Sequence, residues 1–320
     1  MTIKRTELGA TAGVTLRREA LDMGYDDRSI AAMVKNGRWI KVRHGSYVDA
    51  RLWSPLGAED RHRVTARAVL KTARSPVVLS HVSAAVEWGA DVWDVDLSEV
   101  HVNRLDGKCG RREAGVAQHR GRVDPATIAV HDGVRLLDAA RTAVDVTTMC
   151  DVEHGLVIIN SLLHLGLTDL QHCWEAAEVM DGWPDTLTTR RVLRLADPRI
   201  ESVGESRAFH MLWSQGLPRF EPQYKIRDGS GRVIARVDFA LPELGVFLEF
   251  DGRVKYDNLP PGKTLAQVIR EEREREKRIC RLTGWVCIRI TWKDLENPAR
   301  LAHEIRSILA SRRWAPVAPA

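Results

Sequence analysis

The chain has 320 residues, 28% of them charged and 6% aromatic, with a formal net charge of +5 and an isoelectric point near 9.0. That length argues for two or three domains, and no uncharged run reaches the roughly 18 residues of a membrane helix, which excludes a chain built on such spans. Met1 to Leu16 carries Lys4, Arg5 and Glu7 and no apolar core, so export by a signal peptide is not expected. Five scattered cysteines, Cys109, Cys150, Cys173, Cys280 and Cys287, form no C-x-x-C pair; they read as reduced thiols of a cytoplasmic protein, not a disulfide frame or a zinc site.

The charge is unevenly spread. Residues 1–75 hold 15 Lys and Arg against 8 Asp and Glu, residues 76–200 hold 12 against 19, and residues 201–320 hold 21 against 16. Two basic segments around an acidic one suggest two surfaces able to meet a polyanion, joined by a segment that phosphates would repel. Ordinary surface variation is the competing explanation.

In chain order, Thr15–Met23 reads as a short helix, Tyr25-Asp26-Asp27 as a turn and cap, and Arg28–Asn36 as a second helix with Ile30, Met33 and Val34 on its buried side and Gly37 ending it. Extended runs Trp39–Val42 and Ser46–Val48 follow, joined by the basic turn Arg43-His44-Gly45. Helix, helix, wing is the order of a winged helix-turn-helix. Arg28, Ala32, Lys35 and Asn36 lie opposite the apolar stripe, where a helix entering a major groove keeps its reading residues, and Lys41 and Arg43 are placed to hold phosphates. A small helical domain with a solvated basic face, used for protein contacts, fits the same pattern.

The segments LRREALDMGYDDRSIAAMVKNGRWIKVRHGSYV, VVLSHVSAAVEWGA and DGVRLLDAARTAVDV resemble the AbiEi antitoxin family over residues 14–198. That resemblance implies a winged helix that binds promoter DNA, over residues 1–75, and a second α/β domain, over 76–198, that handles a cognate toxin or another protein. Within the second segment, Glu99–Val102 and Val116–His119 read as strands, and Leu136–Val146 and Gly155–Leu165 as helices. His81, His101, His119 and His131 do not stand at metal-ligand spacing, so they read as satisfied surface or core histidines. Leu195-Ala196-Asp197-Pro198-Arg199 reads as a linker.

From Glu201 the pattern is helix (Ser202–Gln215), strand (Tyr224–Arg227), Asp228-Gly229 turn, strand (Arg232–Phe239), strand (Val246–Phe250), helix (Thr264–Leu282), strand (Val286–Thr291) and helix (Pro298–Ser311), with a tail over 313–320. The fold class expected is therefore α+β and multidomain, ending in an αβββαβ unit with a closing helix. If Pro242-Glu243-Leu244-Gly245 is a four-residue loop, Leu241 pairs with Val246 and Asp238 falls opposite Glu249. Alternation then puts Glu249 and Asp251 on the face of Asp238, and Val237, Phe239, Leu248 and Phe250 on the other. Three converging carboxylates repel unless a cation lies between them, and hard oxygen donors suit Mg²⁺ or Mn²⁺, which activates water for phosphodiester hydrolysis. The alternative is a surface hairpin with solvated carboxylates. Glu205 lies just before the apolar stripe Ala208, Phe209, Leu212 and Trp213, where it needs a partner: a cation, a lysine of the cluster, or the helix N-terminal dipole.

Glu205, Asp238, Glu249-Phe250-Asp251-Gly252 and the later GWVCIRITWKDL resemble the PD-(D/E)XK nuclease superfamily over residues 201–311, within a domain expected over 199–312, and more closely its Vsr-like branch. The resemblance implies a metal-dependent DNA endonuclease fold with Asp238, Glu249 and Asp251 at the metal and Glu205 as helper. The lysine of the superfamily pattern falls at Asp251, as in the Vsr-like branch. That branch often carries a histidine shortly after the Asp-Gly pair, where this chain has Arg253-Val254-Lys255-Tyr256, making Lys255 the candidate positive group at the reacting phosphate. In the charged run from Ile269 to Arg278, a solvated helix face is one reading and Arg275 and Arg278 reaching toward the DNA the other; Pro260-Pro261-Gly262 reads as a loop over the site. The expected function is a Mg²⁺-dependent endonuclease positioned by a winged helix. The alternative is a non-catalytic DNA-binding regulator of a type IV toxin–antitoxin system with a degenerate nuclease fold.

Overall fold

A computed structural model describes residues 13–121, 123–183, 185–252 and 262–313. The chain is a mixed α and β protein that divides into two compact units, residues 1–193 and 194–320.

The first unit opens with β1 (Thr15–Leu16), α1 (Arg17–Asp22), α2 (Asp27–Lys35), β2 (Trp39–Arg43), β3 (Ser46–Asp49) and α3 (Ala50–Trp53). Asp26 caps α2 by accepting from the Ser29 amide at 2.7 Å. Gly37, at φ 66°, turns the chain out of it. Helix α1 is shorter than expected because Thr15 and Leu16 pair with Tyr47 and Ser46, making a three-stranded sheet in the order β1-β3-β2. Val14 and Leu16, two residues apart, thereby share a core with Val48 and Leu56 that a helical turn would have split.

Helix α4 (Ala58–Thr72) serves two cores. Val64 and Ala68 pack with Val48 and Leu56, while Ala66 and Val69 pack with Leu79, Val100 and Leu136. The expected division near residue 75 therefore follows a helix buried on both sides, and residues 1–193 cohere as one unit.

The second sheet is built from β4 (Val77–Leu79), β5 (Val100–Arg104), β6 (Arg112–Glu113), β7 (Val116–His119), β8 (Ile128–His131) and β9 (Val134–Leu137), in the order β6-β7-β5-β4-β9-β8. Between and after these strands come α5 (His81–Trp88), α6 (Ala139–Val146), α7 (Val152–His164), α8 (Leu170–Val179) and α9 (Leu187–Leu195). The helix expected over Leu136–Val146 is shorter, because Leu136 and Leu137 finish β9 and Asp138 caps α6 through the Arg141 amide at 2.7 Å.

The second unit comprises α10 (Val203–Ser214), β10 (Glu221–Arg227), β11 (Val233–Leu241), β12 (Val246–Asp251), α11 (Leu265–Thr283), β13 (Val286–Thr291), α12 (Trp292–Leu295) and α13 (Pro298–Ser311). The expected αβββαβ order is present, with α12 added before the closing helix. The sheet order is β10-β11-β12-β13; β13 runs parallel to β12 and the other pairs are antiparallel. Leu241 pairs with Val246 across a turn that ends at Gly245, φ 61°, as the loop length requires.

Side-chain alternation along β11 breaks at Asp238. Val237 and Ala240, three residues apart, join one core with Phe247 and Ile279 of α11, whereas Phe239 stacks on Phe209 of α10, ring centroids 5.8 Å apart. The expectation that Val237 and Phe239 share a face is thus overturned, since a regular strand cannot place residues 237 and 240 on the same side. Across the sheet, the matching irregularity is Gln223, at φ 52°. No helix among the described residues is long and apolar enough to cross a membrane.

Candidate functional site

The irregular step in β11 and β10 lies where the acidic residues of the second unit meet. Glu205 occupies the first turn of α10, whose cap Ser202 accepts the Glu205 amide at 3.2 Å and donates its hydroxyl to Glu205 Oε1 at 2.7 Å. The Glu201 amide at 3.1 Å and the Gln223 side-chain amide at 2.8 Å both donate to Oε2. Burial pushes the Glu205 carboxyl's pKa up, and the neighbouring Asp238 charge adds to the rise against those hydrogen bonds. The partner that a buried-side glutamate needs is therefore the helix cap together with Gln223, not a lysine. Gln223 has no signature in the strand EPQYKIR; only its left-handed backbone and its hydrogen bond mark it.

Asp238 accepts the main-chain N–H of Phe250 at 2.7 Å. The β11–β12 ladder ends one step earlier, at Phe239 and Leu248, so the carboxylate takes over the role of a main-chain acceptor at the point where the strands part. Glu249 and Asp251, alternating on β12, face α11 and β13. The Arg275 guanidinium donates to Glu249 Oε1 at 3.3 Å and also to the Arg236 carbonyl, while Arg236 itself pairs with Glu201 at 2.7 and 3.0 Å. Arg289, which stands beside Glu249 in the parallel ladder, donates to Asp251 Oδ2 at 3.3 Å and to Glu276 Oε2 at 3.1 and 2.7 Å. Burial works against the Arg289 charge, but the Glu276 bond outweighs it and raises the pKa. A cavity of about 20 Å³, room for little more than one water, lies among Glu249, Arg275, Glu276 and Arg289.

The four predicted site residues Glu205, Asp238, Glu249 and Asp251 thus come from three neighbouring elements: Glu205 lies beside Asp238, and Glu249 and Asp251 pair with Arg275 and Arg289. The carboxylates do not converge on a cation in this arrangement: Glu249 and Asp251 each face an arginine and Asp238 faces a main-chain N–H. Among the described residues no group of three or more His, Cys, Asp or Glu side chains is arranged to hold a metal ion. Lys255 and Pro260-Pro261 lie outside the described residues. Arg278 is exposed on α11. In the first unit Arg28, Lys35, Asn36 and Lys41 are exposed and Arg43 is half-buried, with Ile30 of α2 turned into the core.

A second constellation was invisible to sequence spacing. His81, His101 and His119, from α5, β5 and β7, stand together: His81 stacks on His119 with centroids 3.7 Å apart, and His101 Nδ1 and His119 Nε2 share a hydrogen bond of 2.8 Å. Only the sheet order, which lays β5 against β7, brings them together.

No protein family model matches the chain. It is similar to two Mycobacterium tuberculosis proteins, uncharacterized protein MT2308 of strain CDC 1551 / Oshkosh and uncharacterized protein Rv2248 of strain ATCC 25618 / H37Rv. Each is 28% identical over 290 residues, 90% of this chain and 98% of the relative. Among solved structures, the RV2827C protein of Mycobacterium tuberculosis aligns with 64% of this chain and 78% of its own, at 13% identity and a TM-score of 0.40, a likeness too distant to assign a fold.

Proposed function

We propose that the protein acts on DNA: the second unit is an endonuclease of the Vsr-like PD-(D/E)XK type that hydrolyses phosphodiester bonds, and the winged helix of the first unit holds the duplex through Arg28, Lys35, Asn36, Lys41 and Arg43. The observation that carries this reading is that Glu205 lies beside Asp238 and that Asp238 accepts the Phe250 amide next to Glu249, at the point where β11 and β12 part, in a unit of αβββαβ order. Acids gathered beside Arg275 and Arg289 are a poor surface for simple phosphate binding, since each uncompensated carboxylate repels the backbone.

The reading requires Mg²⁺ or Mn²⁺. Carboxylate oxygens are suitable donors for either ion, but the arrangement described is not a cradle for one, because Arg275 and Arg289 hold Glu249 and Asp251. Cleavage therefore demands that these pairs open. The same pairing favours the second reading, a DNA-binding regulator of the antitoxin type, with a toxin or other protein as partner of residues 76–198. Supercoiled plasmid incubated with the protein and Mg²⁺, Mn²⁺ or EDTA separates them: metal-dependent nicking or linearisation supports the endonuclease, and tight binding with intact plasmid supports the regulator.

A further inference from the structure

The two guanidiniums that hold the acids of the second unit are more exposed than the acids themselves. The side chains of Arg275 and Arg289 are 48% and 34% exposed, against 15% for Glu249 and 22% for Asp251. A polyanion approaching this face therefore meets positive charge before it meets negative. The contacts to these two acids are also the loose ones of the cluster. Arg275 Nη2 reaches Glu249 at 3.3 Å and Arg289 Nη1 reaches Asp251 at 3.3 Å, beyond the roughly 2.7–2.9 Å of a strong charge-assisted bond. By contrast, Arg289 grips Glu276 through Nε and Nη2 at 3.1 and 2.7 Å, and Arg275 Nη2 also donates to the Arg236 carbonyl. Each arginine thus has an anchor besides the acid it covers, and can release that acid without losing its place.

While the arginines stay, the cluster is closed to a divalent cation. The cavity among Glu249, Arg275, Glu276 and Arg289 measures about 20 Å³, whereas Mg²⁺ keeps several waters of its own. Two positive charges on the same carboxylates also repel a further cation. Backbone phosphate is suited to draw the arginines off, since the guanidinium fork matches phosphate oxygens as well as carboxylate. Neither exchange is favourable alone: phosphate on the arginines leaves the acids without counter-charge, and a cation on the acids leaves the arginines without one. With both partners present, every charge is matched.

We propose that Arg275 and Arg289 form a latch that duplex DNA opens: backbone phosphates draw the two guanidiniums from Glu249 and Asp251, leaving these carboxylates open to a divalent cation. Glu276 and the Arg236 carbonyl are the fixed points on which the arginines turn. The misfit between the cluster and a cation is on this account a property of the DNA-free protein. DNA and metal accordingly bind with positive coupling, each tightening the other by the same factor. The inference rests on the endonuclease reading for the role of the metal, and its test reads binding without cleavage.

Mn²⁺ titration of the full chain without DNA, read from the electron paramagnetic resonance signal of the free ion, is the first arm. Arg275→Gln, a change at a half-exposed side chain, should bind Mn²⁺ roughly tenfold tighter than wild type. Arg275→Lys, which keeps the charge, should stay near wild type, and adding Glu249→Gln to Arg275→Gln should abolish the gain. The second arm is fluorescence anisotropy with a labelled phosphorothioate duplex, at one ionic strength, in Mn²⁺ or EDTA. Mn²⁺ should tighten the wild-type complex roughly tenfold, and Arg275→Gln should lose most of that gain. Equal Mn²⁺ affinity in wild type and Arg275→Gln, or the same metal-dependent gain in DNA affinity for both, overturns the latch. If wild type nevertheless nicks plasmid, the endonuclease reading stands while the latch falls. If Arg275→Gln gains Mn²⁺ affinity and loses the coupling while plasmid stays intact with every variant, the latch stands and cleavage falls.

Discussion

The carboxylate of Asp238 accepts the Phe250 amide at 2.7 Å, so one acidic side chain both ends the β11–β12 ladder and fixes the backbone between Glu249 and Asp251. Structure and chemistry are therefore separable at this position. Asp238→Asn keeps an acceptor for the N–H and should leave the thermal midpoint nearly unchanged, whereas Asp238→Ala leaves a buried donor unpaired and should cost about 1–3 kcal/mol in denaturant unfolding. Cleavage should be lost in both. An alanine variant as stable as wild type would show that the bond contributes nothing to the hairpin.

Helix α10 approaches β12 closely because residue 204 is glycine. A Cβ there would lie 2.0, 2.4 and 2.5 Å from atoms of the Phe250 ring. Alanine gains about 1 kcal/mol of helix propensity, but displacing the ring, which also packs edge-on against Trp292 at 5.1 Å, should cost more. The net expectation for Gly204→Ala is a loss of about 1–3 kcal/mol by chemical denaturation. A stabilised variant would mean that the ring moves freely.

Buried histidines make the first unit sensitive to acid. Burial lowers the pKa of His62, His81, His101 and His119, the last two to about 4 from an ordinary 6.5. A group depressed in the folded state contributes stability that is present above its unfolded pKa and lost as pH falls through the folded one. Stability of this unit should accordingly decline between pH 6.5 and about 4. Asp145, raised by burial from 3.8 to about 6 despite Arg141, and Asp138, also raised by burial, act in the opposite sense, two carboxyls against four imidazoles. Calorimetric midpoints across this range check the slope, and His119→Gln should flatten it; a midpoint that rises with acid would contradict the assignment.

If α2 and the β2–β3 hairpin hold the duplex, their exposed lysines carry part of the salt dependence. The double substitution Lys35→Glu and Lys41→Glu should weaken binding and reduce the slope of log affinity against log salt by about 2, near 0.9 for each phosphate that a lysine no longer neutralises. Fluorescence anisotropy with labelled duplex at several salt concentrations measures this. An unchanged slope would remove these two residues from the interface.

The legible part of the sequence was local. The Leu241–Val246 pairing followed from the Pro242–Gly245 turn, and capping signals such as Asp26 and Pro298 marked helix starts, because each depends on a few adjacent residues. Alternation placed Glu249 and Asp251 together but failed at Asp238, where the opposed step at Gln223 rotates the strand pair and no residue type announces it. The partners Arg275 and Arg289 are 26 and 38 residues from the acids they hold. The cluster of His81, His101 and His119 was illegible for a related reason: its residues come from separate elements joined by strand order, which short-range periodicity does not encode.

Cleavage of supercoiled plasmid is the most direct test of the central claim. Wild-type protein with Mg²⁺ or Mn²⁺ should convert it to nicked or linear forms, EDTA should prevent this, and Glu249→Gln, a near-isosteric change in a half-buried side chain, should bind the same DNA without cutting it. Intact plasmid under every metal condition while wild type binds DNA, or full cleavage by Glu249→Gln, would contradict the assignment of phosphodiester hydrolysis to this cluster.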